Sequence, residues 1–142
     1  MTVYRGTGMT TAQLQGAYKY FIHRQIDVLY ISRDGTNSKY NQELMCHLYR
    51  PSEAKHGLLR YCQVKMKFHS LTMGIGSLRG TRNFHTIYDH DAFNLNHQSP
   101  YAEHKINGMI EFTKHMNQRT KEKYYGQHNQ QTHDRLAYGS LV

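Results

Sequence analysis

The chain has 142 residues, which suits one domain with one core. Only 38% of it is apolar, and its net charge is +8 with eleven histidines counted neutral, so a modest core and a nucleotide, nucleic acid or other polyanion as partner are expected. No apolar run is long enough to span a bilayer, no charged-then-apolar leader is present, and Cys46 and Cys62 are too few for a disulfide framework, so a soluble protein with free thiols and no membrane contact is expected.

In chain order, Val3 and Tyr4 form a brief expected strand, followed by the turn Arg5-Gly6-Thr7-Gly8. From Thr10 to His23, Leu14, Ala17, Tyr18, Phe21 and Ile22 recur at helical spacing, with Thr10 or Thr11 as the expected cap. Ile26 to Ile31 is nearly continuous and rich in β-branched residues, the pattern of a strand buried on both faces. Ser32 to Asn37 is then a loop at the carboxyl end of that strand, where such sheets bind ligands. Ser38 to Arg50 reads as a helix stopped by Pro51, and Ala54 to Cys62 as a short helix or turn. Val64 to His69 alternates apolar and polar, which predicts a strand with one wet face near a sheet edge. Gly74 to Asn83 is a glycine- and arginine-bearing loop, Phe84 to Tyr88 a strand ending in Asp89-His90-Asp91, and Pro100 to Gln118 a last helix. Arg119 to Val142 has little to bury and is expected to be a polar arm. Twelve tyrosines and no tryptophan predict many half-exposed rings.

A glycine-rich turn opening a helix presents unpaired backbone N–H groups at the positive end of the helix dipole, which favours phosphate. In the common phosphate loop, glycine and four further residues precede Gly-Lys-Ser/Thr. Gly8-Met9-Thr10 occupies that final triplet, Val3 falls where the first glycine belongs, and Met9 stands where the lysine does. Arg5 is a candidate substitute cation, Thr10 offers a hydroxyl to Mg2+, and Thr11 caps the helix or touches phosphate. A triphosphate site also needs an acid at the end of a neighbouring buried strand, and Asp89 follows Thr86-Ile87-Tyr88 in that manner. His90 and Asp91 are the candidates to position or deprotonate water.

Taken together, Gly6-Thr7-Gly8-Met9-Thr10-Thr11, Asp27 to Ser32, Ser77-Leu78-Arg79-Gly80 and Phe84 to His90 resemble a small P-loop NTPase. The pattern is similar to the ATPase cores of viral DNA-packaging motors and helicases, and in particular to short phage-encoded proteins whose loop ends Gly-Arg/Met-Thr-Thr. It covers roughly the first two thirds of the chain in three short pieces. The resemblance implies an ATP-binding α/β fold acting near DNA in host cytoplasm or virion. Gly6, Gly8, Thr10 and Thr11 would lie on phosphate, Asp89 on Mg2+, and Arg79 and Arg82 near the site.

The expected architecture is a small α/β domain over residues 1–118, with a mainly parallel sheet and helices on both faces, followed by a polar C-terminal arm over 119–142. The expected function is ATP binding with Mg2+, with hydrolysis in doubt because the lysine and the usual glutamate are missing. One rival is a basic phage structural or binding protein whose Tyr124, Tyr125, Tyr138, Lys121, Lys123 and Arg135 engage a nucleic acid or a phage or host protein. The other is a metal nuclease of the His-Me-finger kind, built from His90, Asn94 or Asn96, and His104.

Overall fold

The computed structural model describes residues 8–73, 75–78, 84–93 and 100–124. The expected strand at Val3–Tyr4, the turn residues Arg5, Gly6 and Thr7, the loop arginines Arg79 and Arg82, Asn94, Asn96 and the stretch 125–142 lie outside them.

Helix α1 (Met9–Ala17) runs into a π-helical turn (Tyr18–Ile22), together covering the predicted first helix. Strand β1 (Val28–Ser32) follows, and all five of its residues are buried. Helix α2 (Gly35–Leu48) begins three residues before the expected Ser38, because the Asp34 carboxylate accepts from the Asn37 N–H and starts the helix earlier. The segment expected as helix or turn over Ala54–Cys62 is instead a hairpin, β2 (Glu53–Lys55) and β3 (Leu58–Tyr61). Gly57, with φ of 77°, supplies the left-handed residue its turn requires. After β4 (Val64–Ser70), 3-10 turns at Leu71–Met73 and Gly76–Leu78 lead toward β5 (His85–Tyr88) and helix α3 (Pro100–Tyr124).

The sheet has the order β2-β3-β4-β1-β5. β1 pairs parallel with β4 on one side and with β5 on the other, while β2, β3 and β4 pair antiparallel. The fold is therefore α/β with a five-stranded mixed sheet, in place of a mainly parallel one: the hairpin adds the two antiparallel strands. It also moves β4 away from the expected edge, into the interior between β3 and β1.

Period two along β1 divides the core. Val28 and Tyr30 pack under α1 and α2 with Leu14, Phe21 and Met45. Leu29 and Ile31 face the other layer, with Leu78, Met109 and Met116. Tyr30 is wholly buried, whereas Tyr18, Tyr20 and Tyr49 are partly so, and Tyr18 stacks on Tyr49 with ring centroids 3.9 Å apart.

Helix α3 continues six residues beyond the expected end at Gln118 because its last turns have work on the sheet. Thr120 is buried and donates to the Phe84 carbonyl at 2.8 Å, and the Asn117 amide oxygen accepts from the Thr86 N–H at 2.6 Å. Those two groups point away from β1, so α3 side chains satisfy an edge that would otherwise be left open. Among the described residues, no helix is long and apolar enough to cross a membrane.

Candidate functional site

Three parallel strands place their carboxyl ends on one edge of the sheet. β1 is its topological switch point, because the chain first pairs β4 on one side of it and then β5 on the other. The Asp89 N–H donates to the Ile31 carbonyl at 2.8 Å, extending the β1–β5 ladder and setting Asp89 level with the end of β1. Alternation along β5 puts His85, Ile87 and Asp89 on the side of α1, with His85 stacked on Phe21.

Asp89 is 5% exposed, and its carboxylate is held by two hydroxyls. Tyr30 donates to Oδ1 at 2.7 Å from inside the core, and Thr10 donates to the same oxygen at 3.1 Å from the first turn of α1. Burial and the facing Asp89 carboxylate push the Tyr30 phenol well above its ordinary value, so it stays a proton donor.

One helical turn after Thr10, Gln13 grips the backbone on both sides of this acid. Its amide nitrogen donates to the Tyr88 carbonyl at 2.9 Å, and its oxygen accepts from the His90 N–H at 2.7 Å. Gln13 thereby locks the N-terminus of α1 to the end of β5. Nothing in the sequence singled it out, since a mid-helix glutamine reads as a surface residue. Its only signal is its position three residues after Thr10, on the same helix face.

The first turn of α1 has no side-chain cap among the described residues. Its cap is Gly8, at φ 74° and ψ 7°, with no side-chain hydrogen bond. Neither threonine serves as the cap, correcting the expectation: Thr10 turns its hydroxyl to Asp89 instead.

A cavity of about 300 Å³ opens here, and its lining joins Gly8, Thr10 and Thr11 to Asp89, His90 and Asp91. Six of the residues singled out in the sequence thus meet around one space. Met9 is 45% exposed and is absent from that lining among the described residues. The rest of the lining is Arg33, Asp34, Thr36 and Asn37, from the Ser32–Asn37 segment expected at a ligand-binding edge, with Tyr40, Asn41 and Leu44 of α2, which were not singled out for the site. Arg33 was not named individually, although its loop, just beyond a fully buried strand, was expected to face a ligand. His104, the third member of the nuclease constellation, is exposed on α3.

One oxygen, one imidazole nitrogen and a second oxygen from Asp89, His90 and Asp91 lie within 4.8 Å of one another. Oδ1 of Asp91 is buried without a hydrogen-bond partner among the described residues. Burial, then the hydrogen bond and charge of Asp89, push the Asp91 carboxyl up to about 6, against the pull of His90 and Arg33. Crowded carboxylates with an oxygen lacking a partner are the donor set that a hard divalent cation satisfies.

No protein-family model, no curated protein and no solved structure matches this chain.

Proposed function

We propose that the chain binds a nucleoside triphosphate, ATP in the first instance, as its Mg2+ complex in the cavity at the N-terminus of α1. The observation that carries this reading is the 3.1 Å contact between the Thr10 hydroxyl and the Asp89 carboxylate, 79 residues apart. It sets a hydroxyl from the first turn of a helix beside an acid from the end of a buried strand, over a space open to solvent. Phosphates are favoured at the first turn of α1, where the leading N–H groups lie before the first intrahelical bond and no side chain among the described residues caps the end.

Thr10 and Asp89 would hold the cation, with Asp91 beside them. When bound, the ion neutralises phosphate charge and polarises the phosphoryl oxygens. The remaining chemistry belongs to the chain. Gln13 and Tyr30 keep the Asp89 carboxylate in place, and α1 supplies fixed dipoles toward the anion. If the bound nucleotide turns over, water attacks the γ-phosphorus, the bond to the β–γ bridging oxygen breaks, and His90 or Asp91 accepts the proton of the water.

The test is calorimetry with ATP and MgCl2, followed by phosphate release on the same sample. Saturable binding lost in both Gly8→Val and Asp89→Ala is the expected result. Absence of binding by the unaltered protein overturns the reading. Absence of phosphate release by the unaltered protein leaves binding as the function, and release that persists in the His90→Ala/Asp91→Asn double variant removes both as proton acceptors.

A further inference from the structure

We infer that the β2–β3–β4 sheet face on the α3 side binds single-stranded nucleic acid, through its phosphates and without regard to sequence. The inference stands apart from the nucleotide reading: the surface lies across the sheet from α1 and α2 and needs neither ATP nor metal.

Strand register builds this face. Leu29 and Ile31 of β1 turn toward α3, and their β4 partners are Lys67 and His69, so Lys65 and Lys67 share that side. Lys65 stands opposite Arg60 of β3, and Arg60 opposite Glu53 of β2; Lys67 stands opposite Leu58, and Leu58 opposite Lys55. The alternate residues Leu59, Val64 and Met66 point the other way, into the core under α1 and α2. The apolar cluster beneath α3 takes in β1 and, among the described residues, none of β2, β3 or β4. The side chains of Lys55 and Arg60 are 71% and 39% exposed.

Helix spacing adds a wall to this floor. Phe112 and Met116 pack into the cluster beneath α3, while Asn117 and Thr120 bond the far edge of β5. Lys105 and Arg119 lie seven residues either side of Phe112, and Lys123 seven beyond Met116, so all three fall on the flank toward β1 and β4. Glu103, Glu111 and Glu122 fall off that stripe.

Charge then selects the partner. The floor carries Lys55, Arg60, Lys65 and Lys67 against two acids: Glu53, which pairs with Lys55 at 2.9 Å, and Asp27, whose carboxylate accepts from the Lys65 N–H at 3.0 Å. The wall adds three cations. Asp34, Asp89 and Asp91 gather instead at the cavity on the α1–α2 side. A lysine or arginine keeps its charge when it also donates to a neighbour, so attraction of a polyanion here is set by the summed field and not by any one donor. The floor presents no aromatic ring among the described residues, so it answers to backbone phosphates and not to bases. From β4 to β2 it spans two strand spacings, about 10 Å, which seats one strand and not a double helix.

The experiment is fluorescence anisotropy of a labelled oligothymidylate of about 20 nucleotides, titrated with the full chain in EDTA over a KCl series. A duplex of the same length and phosphatidylserine vesicles run alongside. Lys65→Gln/Arg119→Gln is compared with Lys19→Gln/Lys39→Gln, which removes the same charge from exposed positions on the α1–α2 side, with melting temperatures checked first. The expected result is salt-dependent binding that weakens about fivefold or more in the first pair and less than about twofold in the second. The slope of log affinity against log salt should flatten by about 1.4 in the first pair, at about 0.7 per phosphate contact. If that pair melts early, the exposed Arg119→Gln alone carries the comparison, with about half the change in slope. No binding at the lowest salt, equal losses in the two pairs, tighter binding of the duplex, or a loss seen on vesicles and not on the oligonucleotide would each overturn the inference. None of these outcomes bears on ATP binding in the cavity.

Discussion

Two helices aim their N-termini at the same cavity, and they end differently. α2 is closed by its own residue: the Asp34 carboxylate accepts from the Asn37 N–H at 2.9 Å, so a negative charge already sits on the positive end of that dipole. α1 is capped by Gly8 in the left-handed region and by no side chain among the described residues. α2 thus carries a capping acid from its own loop, whereas among the described residues α1 has no side-chain cap. Under the proposed function the anion sits at α1, and α2 contributes wall. Gln13 reinforces the asymmetry by fixing the open helix end to the acid-bearing end of β5.

The most damaging way to break this comparison is at the acid facing α1. Asp89→Ala removes the acceptor of both Tyr30 and Thr10 and leaves a buried phenol without its partner. We expect a loss of about 1–3 kcal/mol in urea unfolding, together with loss of any Mg2+-dependent thermal shift. Full stability in that variant would show that the Tyr30–Asp89 bond is dispensable.

Gly8 comes next. A Cβ there meets nothing within 4 Å, so the strain of a substitution lies in the backbone at φ 74° and not in a clash. Gly8→Val should cost about 1–2 kcal/mol, and Gly8→Asn, which tolerates that conformation, distinctly less. If the two variants melt alike, the left-handed cap is not what shapes the open end.

At the closed end, Asp34→Ala should cost about 1 kcal/mol through the lost cap, measured as a lower urea midpoint with unchanged slope. The same substitution exposes the dipole of α2 to the cavity. A gain in phosphate affinity would show that the difference between the two helix ends arises from this carboxylate alone.

The smallest effect is expected at Asp91. Its carboxyl titrates at about 6 in the fold against an ordinary 3.8, so the folded state holds a proton that the unfolded chain has released between those values. The associated stability is present below pH 4 and lost as pH rises through 6. Asp91→Asn stays neutral throughout. In EDTA, the difference in melting temperature, variant minus unaltered protein, should become more positive from pH 4 to pH 7. A flat difference would remove burial of the Asp91 charge as a cost.

How much of this was legible beforehand depends on the range of the interaction. The first helix and the fully buried β1 are written in local periods, at Leu14, Ala17 and Phe21 and at Val28 to Ile31. Asp89 was legible as an acid after a strand. The hairpin was not: Glu53, Ala54 and Lys55 are all exposed in β2, so no alternation marks them, and their pairing to β3 forms the strand. The length of α3 was also hidden, because Asn117 and Thr120 look like surface polar residues until β5 presents an unpaired edge.

By itself the sequence determined the α/β class, a glycine before a helix and an acid after a strand, because helix and strand periods and turn residues are properties of neighbours along the chain. Tertiary structure alone decided that Thr10 reaches Asp89, that Gln13 braces the two, and that Arg33 lines the same cavity. Those contacts join residues tens of positions apart, and their partners are chosen by sheet order and strand register, which no local pattern encodes.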